Sequence, residues 1–140
     1  MFRKRLAVIL TALPASLGFA AAVAAPAQAT LNEENYAVPK AFSDERKDCQ
    51  TIGARFSACV QPQGDYLWVK DLAVNGKPVY LYWGDEDVHR HGVCMNHEGV
   101  DAGWTYCNKN FTEGHTIKWR VKYYDNNDNE YISSYRYTVV

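Results

Sequence analysis

His115–Val140 reads HTIKWRVKYYDNNDNEYISSYRYTVV. Ile117, Trp119, Val121 and Tyr123 alternate with Thr116, Lys118, Arg120 and Lys122. Successive side chains of a strand point to opposite faces, so this alternation predicts a strand with one apolar and one cationic face. Asp125–Asn129 is a polar turn. The chain then returns with Tyr131, Ser133, Tyr135, Tyr137 and Val139 expected on one face. The reading is an antiparallel pair of strands rich in β-branched and aromatic residues.

Moving toward the N-terminus, the same period recurs. Ile52, Ala54, Phe56, Ala58 and Val60 alternate with Thr51, Gly53, Arg55, Ser57 and Cys59, and Pro62 and Gly64 end the run. Tyr66–Val74 leads into Asn75-Gly76, and Lys77–Trp83 leads out. Asn-Gly between apolar runs predicts a hairpin turn, because both residues tolerate positive φ. Pro78 cannot donate to a ladder, so its strand is expected at an edge or to begin there. Gly84–Gly103 is irregular, acidic and histidine-containing, with a short strand expected around Cys94. Strand signals with turns every ten or so residues predict an all-β fold, a small disulfide-braced β-sandwich or barrel, over residues 49–140. No internal repeat and no second domain is read.

Two segments precede that domain. Arg3, Lys4 and Arg5 stand before an apolar run, Leu6–Ala25, that ends at Ala27-Gln28-Ala29. Cations, an apolar stretch and a small-x-small triplet are the pattern of a secretion signal, expected to span 1–29. Its removal would leave 111 residues, with 12 Lys+Arg against 16 Asp+Glu, a formal charge of −4. Nucleic-acid binders carry a basic footprint, so this balance argues against that class. The reading is a secreted, extracellular chain with no membrane association once the signal is gone. Residues 30–48 are polar and without period; Leu31, Tyr36, Val38 and Phe42 are too sparse to nucleate a core. The expectation is a flexible, extended N-terminal arm whose removal leaves the β domain folded.

Four cysteines, Cys49, Cys59, Cys94 and Cys107, all follow the signal. An even count in an exported chain predicts two disulfides. Cys94 and Cys107 flank His97–Gly103 and could face each other on a hairpin, which would pair Cys49 with Cys59. An uninterrupted strand would hold the latter two about 33 Å apart, against the roughly 5.5–6 Å of a disulfide. Either the chain turns near Gly53 or the cysteines pair otherwise.

Candidate chemistry is thin. His89, His91 and His97 lie around Cys94, and three imidazoles can hold zinc. An oxidised Cys94 and a polar loop favour solvated histidines, so no metal or cofactor is expected. Asp125, Asn127 and Asn129 match the first ligands of a calcium loop, but Glu130 and Arg136 stand where glycine and a bidentate glutamate are required. No nucleophile elbow, phosphate loop or spaced carboxylate pair is present, which predicts a non-enzymatic protein. What remains is aromatic surface. Tyr80 and Tyr82 point outward if Val79, Leu81 and Trp83 point inward, and exposed aromatic residues suit recognition. The candidate partner-binding residues are Tyr36, Val38, Phe42, Tyr80, Tyr82 and Trp104.

The signal, the arm from Thr30 to Asp48 and the four-cysteine β domain together resemble, in layout, the adaptor subunit of actinobacterial umbrella toxin particles. The resemblance implies a small exported protein that joins a lectin to a larger toxin chain, its arm inserted in a partner's cleft. Two alternatives are an inhibitor of a secreted hydrolase, presenting Asp85–Gly92 or Asn96–Gly103, and a sugar-binding module using Tyr80, Tyr82 or Trp104.

Overall fold

The computed structural model describes residues 31–140; the secretion-signal expectation falls outside them. Eleven strands follow in order: β1 (Leu31–Tyr36), β2 (Val38–Pro39), β3 (Asp48–Ile52), β4 (Phe56–Gln61), β5 (Tyr66–Asp71), β6 (Val79–Asp85), β7 (Arg90–Asn96), β8 (Trp104–Asn108), β9 (Thr116–Tyr124), β10 (Glu130–Ile132) and β11 (Arg136–Val139). They form two sheets. The first runs β1-β7-β6-β9, with β10 and β11 both paired to β9; the second runs β2-β8-β5-β4-β3. The fold is an all-β sandwich braced by two disulfides, as the alternation predicts.

The apolar faces meet in one core. Leu81, Trp83, Ile117, Trp119 and Val121 of the first sheet pack against Phe56, Ala58, Val60, Leu67 and Val69 of the second. Burial of each of the larger aliphatic and phenyl side chains contributes roughly 1.5–3 kcal/mol. Both short-range disulfides form, Cys49–Cys59 and Cys94–Cys107, with Cα separations of 4.1 and 5.9 Å. Gly53 takes a positive φ of 47°, and β3 reverses into β4 there, so Cys49 lies directly opposite Cys59. Contrary to the expectation, Cys94 and Cys107 are not opposite each other on a hairpin. They lie on β7 and β8, in different sheets, and their bond crosses the core.

Three other expectations change. Asn75-Gly76 is not a hairpin turn, because β5 and β6 belong to different sheets. Asn75 instead ties the crossover down: its Oδ1 accepts from Lys77 N at 2.9 Å and its Nδ2 donates to Tyr124 O at 3.0 Å. The arm is extended but not free. β1 pairs in parallel with β7, Ala37 crosses between the sheets with its amide donating to Met95 O, and β2 pairs with β8. Residues 40–47 then strap the outer face of the second sheet to reach β3 at its far edge. Charge, not apolar period, holds β1. Glu33 takes ion pairs from Arg90 and from Lys109, whose side chain is 2% exposed, and Lys109 also donates to Asn35. The Arg90 hydrogen bond is the main cause that lowers the Glu33 pKa, against an opposing cost of burial.

The third change lies on β11. Tyr131 faces Tyr123 and Ile132 faces Lys122, but Arg136 faces Trp119 and Tyr137 faces Lys118. Ser133 brackets Val121, donating its amide to Val121 O and accepting Val121 N at its Oγ. Ser134 and Tyr135 are therefore left opposite Arg120 alone, which is a β-bulge. The extra residue flips the faces: Tyr131 is on the inner side, whereas Tyr137 and Val139 point outward.

Candidate functional site

The bulge brings Tyr137 of β11, with the bulge residue Tyr135, onto the same outer face as the tyrosines of β6. That face can be read row by row from the register. Tyr36, Met95, Tyr80, Lys122 and Ile132 form one row across β1-β7-β6-β9-β10; Glu34, Val93, Tyr82 and Arg120 form the next; Asn32, His91, Gly84, Lys118 and Tyr137 form the third. Tyr36 is 69% exposed, Tyr137 60%, Ile132 50% and Tyr135 44%. Lone exposed apolar side chains need no explanation, but contiguous aromatic ones on one sheet do.

The cations hold the rings in place. Lys118 and Arg120 lie over the Tyr135 ring, 4.3 and 4.5 Å from its centroid, and Lys122 lies 4.5 Å from that of Tyr80. His97 packs edge-on against Tyr36 and Tyr80. Burial raises the Tyr80 pKa, with Lys122 opposing. Burial alone would lower the Lys122 pKa, but Tyr82, Tyr124 and Glu130 outweigh it and the net shift is upward. At neutral pH Tyr80 is thus a neutral phenol beside a charged Lys122. Lys122 has Glu130 at 3.6 Å. Among the described residues, Lys118 and Arg120 have no carboxylate within ion-pair distance.

The candidate residues divide between the two outer faces. Tyr36, Tyr80 and Tyr82 gather on the first sheet. Val38, Phe42 and Trp104 lie on the second, where Phe42 stacks on Trp104 at 4.1 Å and meets Trp68 edge-on. There the strap buries Trp68, whose Nε1 donates to Gln61 Oε1 at 2.9 Å. Trp68 is buried in this cluster, whereas Val38 and Phe42 remain 51% and 42% exposed. Tyr135, Tyr137, Lys118 and Arg120 form one surface with Tyr82 that periodicity does not reveal, because the bulge that unites them leaves no periodic mark.

His89, His91 and His97 do not converge. His89 ends the short 3-10 turn Glu86–Val88 with φ 51°, His91 is on the outer face, and His97 sits against the tyrosines. The described group compact enough to share an ion is Asp85, Asp87 and His115. Its members are engaged with one another: Asp85 Oδ2 lies 2.8 Å from His115 Nδ1, and Asp85 Oδ1 accepts Asp87 N at 3.2 Å. The two segments read as presentable loops are short, each holding a 3-10 turn, Glu86–Val88 or Val100–Ala102. Among the described residues no helix is long and apolar enough to cross a membrane. The chain matches no protein-family model, no curated protein and no solved structure.

Proposed function

We propose that this is a secreted, non-enzymatic protein that acts by binding another secreted protein through the outer face of its β1-β7-β6-β9 sheet. The observation that carries the reading is the bulge-assembled surface of Tyr36, Tyr82, Tyr135, Tyr137 and Ile132 set among Lys118, Arg120 and Lys122. Tyrosine and arginine are the residue types enriched where protein interfaces hold most of their energy. Two disulfides fit an oxidising compartment.

An adaptor role in a secreted toxin complex is compatible with such a face. The route of docking differs from a freed arm, since β1 and β2 are already paired within this chain. The test is capture of a stoichiometric partner from the producer's own culture fluid. Intact protein should retain it and Y36S/I132S/Y137S should not. A change on the opposite outer face, K40S/K70S, should leave capture intact. Equal capture by both variants would reject the surface.

A further inference from the structure

Two glycines interrupt neighbouring strands of the first sheet, and only one has a structural reason. A Cβ on Gly92 would lie 3.0 Å from the Glu33 carbonyl carbon and nearer still to its oxygen, so Gly92 is required by the backbone of β1. A Cβ on Gly84 would meet only ordinary contacts, 3.7 Å to Glu86 Oε1 and 3.8 Å to His91 Cβ, and its φ is not positive. Glycine within a strand weakens it and often marks a close approach by a ligand.

The missing side chain opens a recess of about 210 Å³ on the outer face. Its walls are Tyr82, Tyr135, Lys118, Arg120, His91 and Glu86. Drug-sized pockets run to about 300–1,000 Å³, so this one has room for a single ring-sized group. Lys118 and Arg120 have no carboxylate of this chain within ion-pair distance among the described residues, and Tyr135 holds both at the rim. An arginine fork with a lysine beside it suits a carboxylate. Tyr82, 37% exposed, offers a ring face on which an apolar C–H face can stack. Glu86 and His91 supply acceptors and donors for hydroxyl groups.

We propose that the Gly84 recess binds one uronic-acid residue of an acidic saccharide, with its ring on Tyr82 and its carboxylate between Lys118 and Arg120. An acidic side chain of a protein would use the two cations and leave Tyr82, Glu86 and His91 without a role. The recess shares Tyr82, Tyr135, Lys118 and Arg120 with the face proposed to meet a protein partner, but Tyr36, Ile132 and Tyr137, whose replacement tests that partner, lie outside it. Y36S/I132S/Y137S should therefore lose protein capture and keep saccharide binding.

The test is an amide-shift titration of the full secreted chain with galacturonic acid trisaccharide. Saturable shifts should centre on Gly84, His91 and Lys118, and the neutral galactose trisaccharide should bind about tenfold or more weakly. G84L, which fills the recess without backbone strain, should abolish binding while the rest of the spectrum stays in place. K118Q/R120Q, on the exposed face, should cost at least about tenfold. Three results would overturn the proposal: no saturable shift, undiminished binding by either variant, or equal binding of inorganic phosphate or poly-L-glutamate at the same amides.

Discussion

Replacing Gly92 by alanine tests how β1 is held. The added Cβ would lie 3.0 Å from both the Glu33 carbonyl carbon and its Cβ, and nearer still to the carbonyl oxygen. These are mostly backbone atoms and cannot swing away. If β1 stays, forcing a methyl into that space costs about 1–3 kcal/mol. If β1 leaves, Arg90 and the buried Lys109 lose Glu33. Breaking a fully buried pair costs about 3–5 kcal/mol, but the Glu33 and Arg90 side chains are 28% and 19% exposed, which reduces it. Either route predicts a loss of about 1–3 kcal/mol, a fall in Tm of at least about 4 °C for a domain near this size. Urea unfolding with the disulfides intact measures the total. Native-state amide exchange locates it: β1 amides should lose protection while β4 and β5 keep theirs. G84A, on the adjoining strand β6 one register position along, where an added Cβ meets no backbone atom within 4 Å, should change stability by less than about 0.5–1 kcal/mol. Wild-type stability and unchanged β1 protection in G92A would refute the account of the arm as a paired strand.

Three further outcomes follow from the same structure. Removing the inter-sheet bond with C94A/C107A should cost about 2–5 kcal/mol in chemical denaturation and exceed the loss from C49A/C59A, because only the former ties the two sheets across the core. The side-chain hydrogen bond from Asn129, followed by backbone amides of Asn129 and Asn127, holds the Asp125 pKa down at about 2. A depressed folded pKa gives stability that is present above the unfolded value of about 4 and is lost as pH falls through about 2. D125N should therefore flatten the acid limb of the stability curve in that window. F42A should uncover Trp68, shifting its fluorescence to the red at a cost of about 1–2 kcal/mol, since Phe42 is itself partly exposed.

The alternation of Ile117–Tyr123, the polar turn at Asp125–Asn129 and the start of β6 just after Pro78 were all legible, because each is local backbone chemistry. Connections between sheets were not. Asn75-Gly76 has hairpin residues, yet the side chain of Asn75 is spent on Lys77 and Tyr124, and the chain changes sheets. β1 was hidden because Glu33 and Asn35 hold it by charge and hydrogen bonds to Arg90 and Lys109, residues nearly sixty or more positions away. The site suffered most from the bulge at Ser134–Tyr135. Strict alternation put Tyr131 and Tyr137 on one face, whereas one extra residue separates them and joins Tyr137 to Lys118. Gly84 carries no signal until its neighbours across β7 and β9 are known.

On the proposed function, recognition uses the outer face of the first sheet. The most direct measurement is amide hydrogen exchange of the full chain, free and in complex with whichever partner the proposed capture yields. Protection should rise in β6, β9 and β11, around Tyr82, Arg120 and Tyr137, with the strap at 40–47 and β8 unchanged. Protection confined to the strap and β8, or exchange of β1 opening as the partner binds, would contradict the account.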